Sequence, residues 1–238
     1  MRISSRKKYQ IPLSTDHTNY ESYPGNRVPS VTTVLKVIGK ESLMQWANSL
    51  GWKRKSLTKE LNDASVIGSL AHNYIESFIF DRRSERYNIN VEIDSLPYEM
   101  NEKTRNAINS FLLWWRDHGD EIDPIDTEVK MVCDFYGGTL DLLCRYKGKL
   151  TIIDFKTSSD FHPTMYMQLA AYAKMYEDQY GEHIEQVAVL RLDKKRGTKG
   201  VLKTIDEVPG GDIDFYYNAF MAATGLYRFM NVIDQDWE

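Results

Sequence analysis

Apolar residues recur along this chain with two different periods, and each change of period marks an element. Leu43, Trp46, Ala47 and Leu50 stand at helical spacing and predict one or two helices over residues 41–64. Ala71, Ile75, Phe78 and Ile79 continue the pattern in a helix over 65–82, and Ile108, Phe111, Leu112 and Trp115 do so over 99–118, where Gly119 ends the run. The period then falls to two. Val129, Met131 and Cys133 alternate with polar neighbours over 126–135, Gly137-Gly138 turns the chain, and apolar-rich runs at 139–146 and 150–156 flank the dipeptide Lys147-Gly148. Helical spacing returns from Pro163 to Tyr180, residues 184–192 read as a strand, and residues 213–230, rich in Tyr and Phe, read as a closing helix. Residues 1–27 carry Pro12, Pro24 and Gly25 and read as an arm with little regular structure; residues 87–97 read as an irregular link.

The runs around Lys147-Gly148 carry the chemistry. With a two-residue turn Tyr146 faces Lys149, and counting outward brings Asp141 opposite Asp154 and Thr139 opposite Lys156. Side chains alternate faces along a strand, so Asp141, Asp154 and Lys156 share one. Directly opposed Cβ atoms lie about 5 Å apart, where like charges repel. Two carboxylates among Leu140, Leu142, Ile152 and Ile153 are costly unless a positive charge lies between them, and a divalent cation suits oxygen ligands. On the helix over 65–82, Gly68, His72 and Glu76 line one face, and Gly68 is expected to let that face approach the sheet.

The wording of these segments resembles the RecB-like branch of the PD-(D/E)XK nuclease superfamily. Asp141 followed by Asp154-Phe155-Lys156 matches its signature, Gly68-Ser69-Leu70-Ala71-His72 its upstream Gly-x-x-x-His, and Gln168-Leu169-Ala170-Ala171-Tyr172 its downstream Gln-x-x-x-Tyr. Pro29-Ser30-Val31-Thr32-Thr33 also looks like a segment of phage and mitochondrial members, and the likeness spans residues 28–192. It implies an α/β, restriction-endonuclease-like core, a mixed central β-sheet flanked by helices over 65–238, with an N-terminal arm and helical elaboration over 1–64. It implies catalysis by Asp141, Asp154 and Lys156, and one or two Mg2+ or Mn2+ ions held by His72, Asp141, Asp154 and the Phe155 carbonyl. Glu76 and Glu128 are possible supports; whether Glu128 reaches metal, lysine or neither stays open. Gln168, Tyr172, Ser30, Thr32, Trp52, Lys53 and Arg54 are candidate nucleic-acid contacts. Spacing alone equally allows Tyr172 to be core, Gln168 to be solvated and Ser30 to be a plain cap for a helix from Val31.

The implied activity is a metal-dependent DNA exonuclease acting on single-stranded ends in replication, recombination or repair. A structure-specific or duplex endonuclease of the same fold, or a non-catalytic nucleic-acid-binding domain, are the alternatives. A helicase, recombinase or single-strand-binding protein is the implied partner. Composition changes this picture little. The net charge of −4 argues against nucleic acid, but Arg6-Lys7-Lys8, Lys53-Arg54-Lys55 and Lys194-Lys195-Arg196 gather positive charge locally. Cys133 and Cys144 are the two cysteines, too few for the iron–sulfur cluster of some RecB-like relatives, and suit a reducing interior. The basic start has no apolar h-region and no run is long enough to cross a bilayer, so the expected location is cytoplasmic, in a phage or prokaryotic host, with the mitochondrial matrix as the alternative.

Overall fold

A mixed five-stranded sheet divides the apolar residues into two cores. The computed structural model describes residues 19–23, 26–39, 41–81 and 100–236. The sheet is formed by β3 (Ile122–Val132), β4 (Gly137–Tyr146), β5 (Lys149–Lys156), β6 (Gln186–Arg191) and β7 (Val201–Thr204), in that spatial order. β5 and β6 run parallel and the other neighbours antiparallel. A smaller hairpin, β1 (Asn19–Tyr23) and β2 (Asn26–Pro29), precedes the helices α1 (Val31–Val34), α2 (Glu41–Trp52), α3 (Leu57–Asp81), α4 (Glu102–His118), α5 (Pro163–Tyr180) and α6 (Ile213–Asp236). This is the α/β arrangement that the resemblance implied.

One core joins α1, α5 and α6 to one face of the sheet through Leu140, Leu143, Ile152 and Val189. The other joins α3 and α4 to the opposite face through Leu142, Cys144, Ile153 and Phe155. The helix boundaries follow local chemistry. Ser30 Oγ accepts a hydrogen bond from Thr33 N at 3.0 Å, so it does cap a helix from Val31. Pro163 stands at the start of α5, and Gly181, in a left-handed conformation, ends it.

The β4–β5 register is the one counted outward from Lys147-Gly148: Tyr146 pairs with Lys149 and Leu142 with Ile153. There the ladder stops. Leu140 packs under α5 whereas Leu142 packs under α3 and α4, although strict alternation would place both on one face. The alternation of β4 therefore slips at Asp141. The neighbouring strand is irregular at the same level, where Glu128 takes a left-handed φ of 51° between the pairs Thr127–Leu142 and Val129–Leu140. A left-handed non-glycine residue inside a strand is strained, and such strain gathers at functional sites.

Several boundaries differ from the periodicity. The arm contains the β1–β2 hairpin. β3 begins at Ile122, because Pro124 is tolerated on an edge strand and the register shifts just after it. β7 is a four-residue edge strand too short to carry a readable alternation. α3 begins at Leu57 and runs through Ser65 without a break. The link expected at 87–97, the basic cluster at 6–8 and the side chain of Trp46 lie outside the described residues. No helix among the described residues is long and apolar enough to cross a membrane.

Candidate active site

The slip in β4, the end of β5 and the middle of α3 meet at one cavity of about 440 Å3. Its walls include His72, Glu128, Asp141, Asp154 and Lys156, together with Gln168 and Tyr172 from α5 and Ser30 and Thr32 from the start of α1. Residues spread over much of the chain are thus brought to one place by three neighbouring strands, β3, β4 and β5, and by the packing of α1, α3 and α5.

Asp141 is held from two sides. Its Oδ2 accepts a hydrogen bond from Phe155 N at 2.7 Å, where a ladder bond between β4 and β5 would otherwise form. Its Oδ1 lies 3.5 Å from His72 Nδ1. The other nitrogen, Nε2, lies 2.9 Å from the Phe155 carbonyl oxygen. A carbonyl can only accept, so Nε2 carries a proton and Nδ1 is the nitrogen turned towards the carboxylate. Burial works against a charged imidazole here, but the charge and hydrogen bond of Asp141 outweigh it, and the His72 pKa rises to about 9. In turn His72 holds Asp141 below the usual carboxylate range despite burial.

Asp154 is almost completely buried, and Lys156 Nζ lies 2.9 Å from its Oδ1 and 2.7 Å from its Oδ2. Gln168 Nε2 donates to Oδ1 at 3.3 Å and to the Tyr172 hydroxyl at 3.1 Å. Oδ2 receives no aligned hydrogen bond. Burial pushes the Asp154 pKa upward in spite of the adjacent ammonium, while the two aspartates outweigh burial and keep Lys156 protonated. Burial, with the charges of Asp141 and Glu76, raises Glu128 to about 7.

This donor set fits a divalent cation. His72, Glu128 and Asp141 each offer one ligand atom, and these atoms lie within 4.8 Å of one another. Asp154, whose buried Oδ2 is met by the Lys156 ammonium but by no aligned hydrogen bond, lines the same cavity. A carboxylate-rich group that binds protons this avidly is one from which a cation displaces them.

The candidate residues fall into three sets. His72, Glu128, Asp141, Asp154, Lys156, Gln168, Tyr172, Ser30 and Thr32 are brought together. Glu76 is half-buried near Glu128, and the Phe155 carbonyl faces His72. Trp52, Lys53 and Arg54 are exposed at the corner between α2 and α3 and do not line the cavity. Trp52 is 90% exposed, so it is not a core residue. Gly68 lines the cavity, but a Cβ there would meet only Thr157 Oγ1, at 3.8 Å, so close approach does not explain it. Gly137 and Gly138, at the start of β4, are under steric demand, because a Cβ there would run into the side chains of Tyr20 and Tyr172.

Tyr20, Ser69, Asn73 and Thr139 also line the cavity, beyond the candidate residues that the sequence offers. Ser69 and Asn73 accompany Gly68 and His72 at helical spacing, and Thr139 faces Lys156 in the hairpin count, so these carried a signal. Tyr20 carried none.

The sequence model of the PD-(D/E)XK nuclease superfamily matches residues 45–214, well over half of the chain. The chain belongs to this superfamily. Metal-dependent nuclease chemistry is thereby its class. No curated protein matches the sequence. Tyr20, Ser30 and Thr32 line the cavity from outside the matched residues.

Proposed function

We propose that the protein is a DNA exonuclease of the RecB-like type that hydrolyses phosphodiester bonds at single-stranded ends with Mg2+ or Mn2+. The observation that carries this reading is the meeting of His72, Glu128, Asp141 and Asp154 around one cavity with Lys156. Asp141, Asp154 and His72, joined by Glu128, would hold the ion, and the mixed imidazole and carboxylate set suits Mn2+ as well as Mg2+. When bound, the ion lowers the pKa of water and neutralises charge on the phosphate.

The chain's own residues supply the rest. Asp141 is fixed by the Phe155 amide and His72, and Asp154 by Lys156 and Gln168, so the carboxylates need little rearrangement. Lys156 brings a compact positive charge to the point where negative charge develops on the phosphate oxygens. Water oxygen bonds to phosphorus, the P–O ester bond breaks, and a phosphomonoester and a hydroxyl result. Trp52 offers an exposed ring for an unpaired base, and Lys53 and Arg54 offer charge for phosphates. The setting proposed from the resemblance is intracellular DNA replication, recombination or repair beside a helicase, recombinase or single-strand-binding protein.

The test is digestion of end-labelled linear and closed circular single strands, with Mg2+, Mn2+ or EDTA, by the native protein and Lys156→Gln. Metal-dependent loss of the linear strand alone, abolished in the variant, is the expected result. Cutting of the circle would replace the exonuclease reading with an endonuclease one. Binding without cleavage in any metal would leave a non-catalytic DNA-binding domain.

A further inference from the structure

Resting on the reading of the cavity as a DNA-cleaving site, we infer that Tyr20, on the N-terminal hairpin, is a substrate-positioning residue that stacks against the base beside the scissile phosphate. Three observations converge on it. Tyr20 lines the cavity and is half-buried, so part of its side chain faces the space that Asp141 and Lys156 also face. Its ring fills the volume that a side chain at Gly137 would need, and its hydroxyl lies 3.1 Å from Thr139 Oγ1. The phenol is thus laid along β4 from Gly137 to Thr139. Asp141 is the next residue but one, about 7 Å further along the strand.

The hairpin is fastened at this place by more than one contact. Ser30, just after β2, bridges to Gly137 in parallel fashion, so backbone and side chain both tie the hairpin to the start of β4. An aromatic ring anchored at both ends on a strand is a rigid surface, and it loses little freedom when a base lies on it. Base stacking on such a ring tolerates any sequence, as an enzyme that degrades a strand stepwise requires. A strand with its phosphate at Asp141 and Lys156 extends over Thr139 and meets Tyr20 one nucleotide away. Residues 45–214 carry the family match, and the hairpin lies before them. This contact therefore comes from outside the matched residues and serves as a device for choosing substrate.

The test separates stacking from packing. Oligonucleotides carrying a single abasic residue at successive positions are compared with the intact strand, by KM with the native protein and by fluorescence anisotropy in Mg2+ on the Lys156→Gln background. Tyr20→Phe keeps the π face, whereas Tyr20→Leu keeps apolar contact with Gly137 but has no π face. One abasic position is expected to weaken native binding about tenfold, to do the same in Tyr20→Phe, and to cost nothing further in Tyr20→Leu, which is itself about tenfold weaker on the intact strand. KM should rise by the same factor while kcat changes less than threefold. Should Tyr20→Leu fail to fold, Thr139→Val loosens the hydroxyl anchor without touching the hairpin and should reduce the penalty at the same base. Equal abasic penalties in all variants would overturn the inference and leave Tyr20 as packing. Abasic coupling in the binding assay, from a native protein that cleaves no DNA, would support the inference while defeating the nuclease reading.

Discussion

Adding one methyl group at Gly138 and one at Gly68 should have opposite effects, although only Gly68 belongs to a recognisable motif. At Gly138 an added Cβ overlaps Tyr172 Cε1 and comes within 3.0 Å of Cζ and 3.1 Å of the hydroxyl. Tyr172 cannot yield easily, because it is buried and its hydroxyl accepts from Gln168, which also holds Asp154. Overpacking of this kind costs about 1–3 kcal/mol. A chain of this length shifts its Tm by about 2–4 °C per kcal/mol, so Gly138→Ala should melt roughly 2–12 °C lower. At Gly68 the nearest atom lies at 3.8 Å, an ordinary contact, and the residue is inside α3. Replacing a helical glycine by alanine gains about 1 kcal/mol, so Gly68→Ala should melt a few degrees higher. Displacement of Tyr172 also loosens the Gln168–Asp154 bond, so Gly138→Ala should lower kcat more than it raises KM. Calorimetry and steady-state cleavage measure both. A Gly138→Ala protein with native Tm and kcat, or a Gly68→Ala protein that melts lower, would refute the packing argument.

Lys156→Gln should lower cleavage by about 100-fold or more while changing the Kd for single strands less than threefold, because the residue acts where charge develops during reaction; anisotropy and single-turnover assays read the two separately. The His72 pKa, raised from 6.5 to about 9, and that of Glu128, raised from 4.5 to about 7, give the metal-free protein its greatest contribution from these groups at low pH. That contribution is lost as pH rises through 7 for Glu128 and through 9 for His72. A divalent cation replaces the protons, so the Tm increase on adding Mg2+ should grow from pH 6 to pH 9; an increase independent of pH would remove His72 and Glu128 from the ligand set. Trp52→Ala together with Lys53→Ala and Arg54→Ala should raise KM on long single strands more than it lowers kcat, and should flatten the dependence of binding on salt; an unchanged KM would leave that corner without a role.

What was legible in the sequence was what repeats at short range. The helical and two-residue periods gave α3, α4, α5, α6 and the β4–β5 hairpin, and the hairpin count gave the pairing of Leu142 with Ile153. From that register Asp141, Asp154 and Lys156 followed as neighbours. The slip at Asp141 was not legible, because it depends on the left-handed Glu128 of the adjacent strand and on which helix covers Leu140. Tyr20 was hidden for a similar reason. Its contacts with Gly137 and Thr139 are long-range, and Asn19–Tyr23 is too short and polar to announce a strand. The motif implies a metal-ligating histidine, but the contact of His72 with the Phe155 carbonyl joins residues far apart in the chain and leaves no mark on the local pattern.

The hydrogen bond from Phe155 N to Asp141 Oδ2 gives one side chain two employments. It positions a carboxylate for chemistry, and it closes the strand pair beyond the last backbone rung. Loss of Asp141 would strand a donor at the end of β5, which costs about 1–3 kcal/mol where water is scarce. Lys156 has a second duty of another kind, because its ammonium neutralises the buried carboxylate of Asp154. In a lineage of this fold drifting from cleavage towards mere attachment to DNA, the lysine is expendable only together with that carboxylate, whereas Asp141 is retained by the strand pair itself. An intact aspartate at this place is therefore weak evidence that a descendant still cuts.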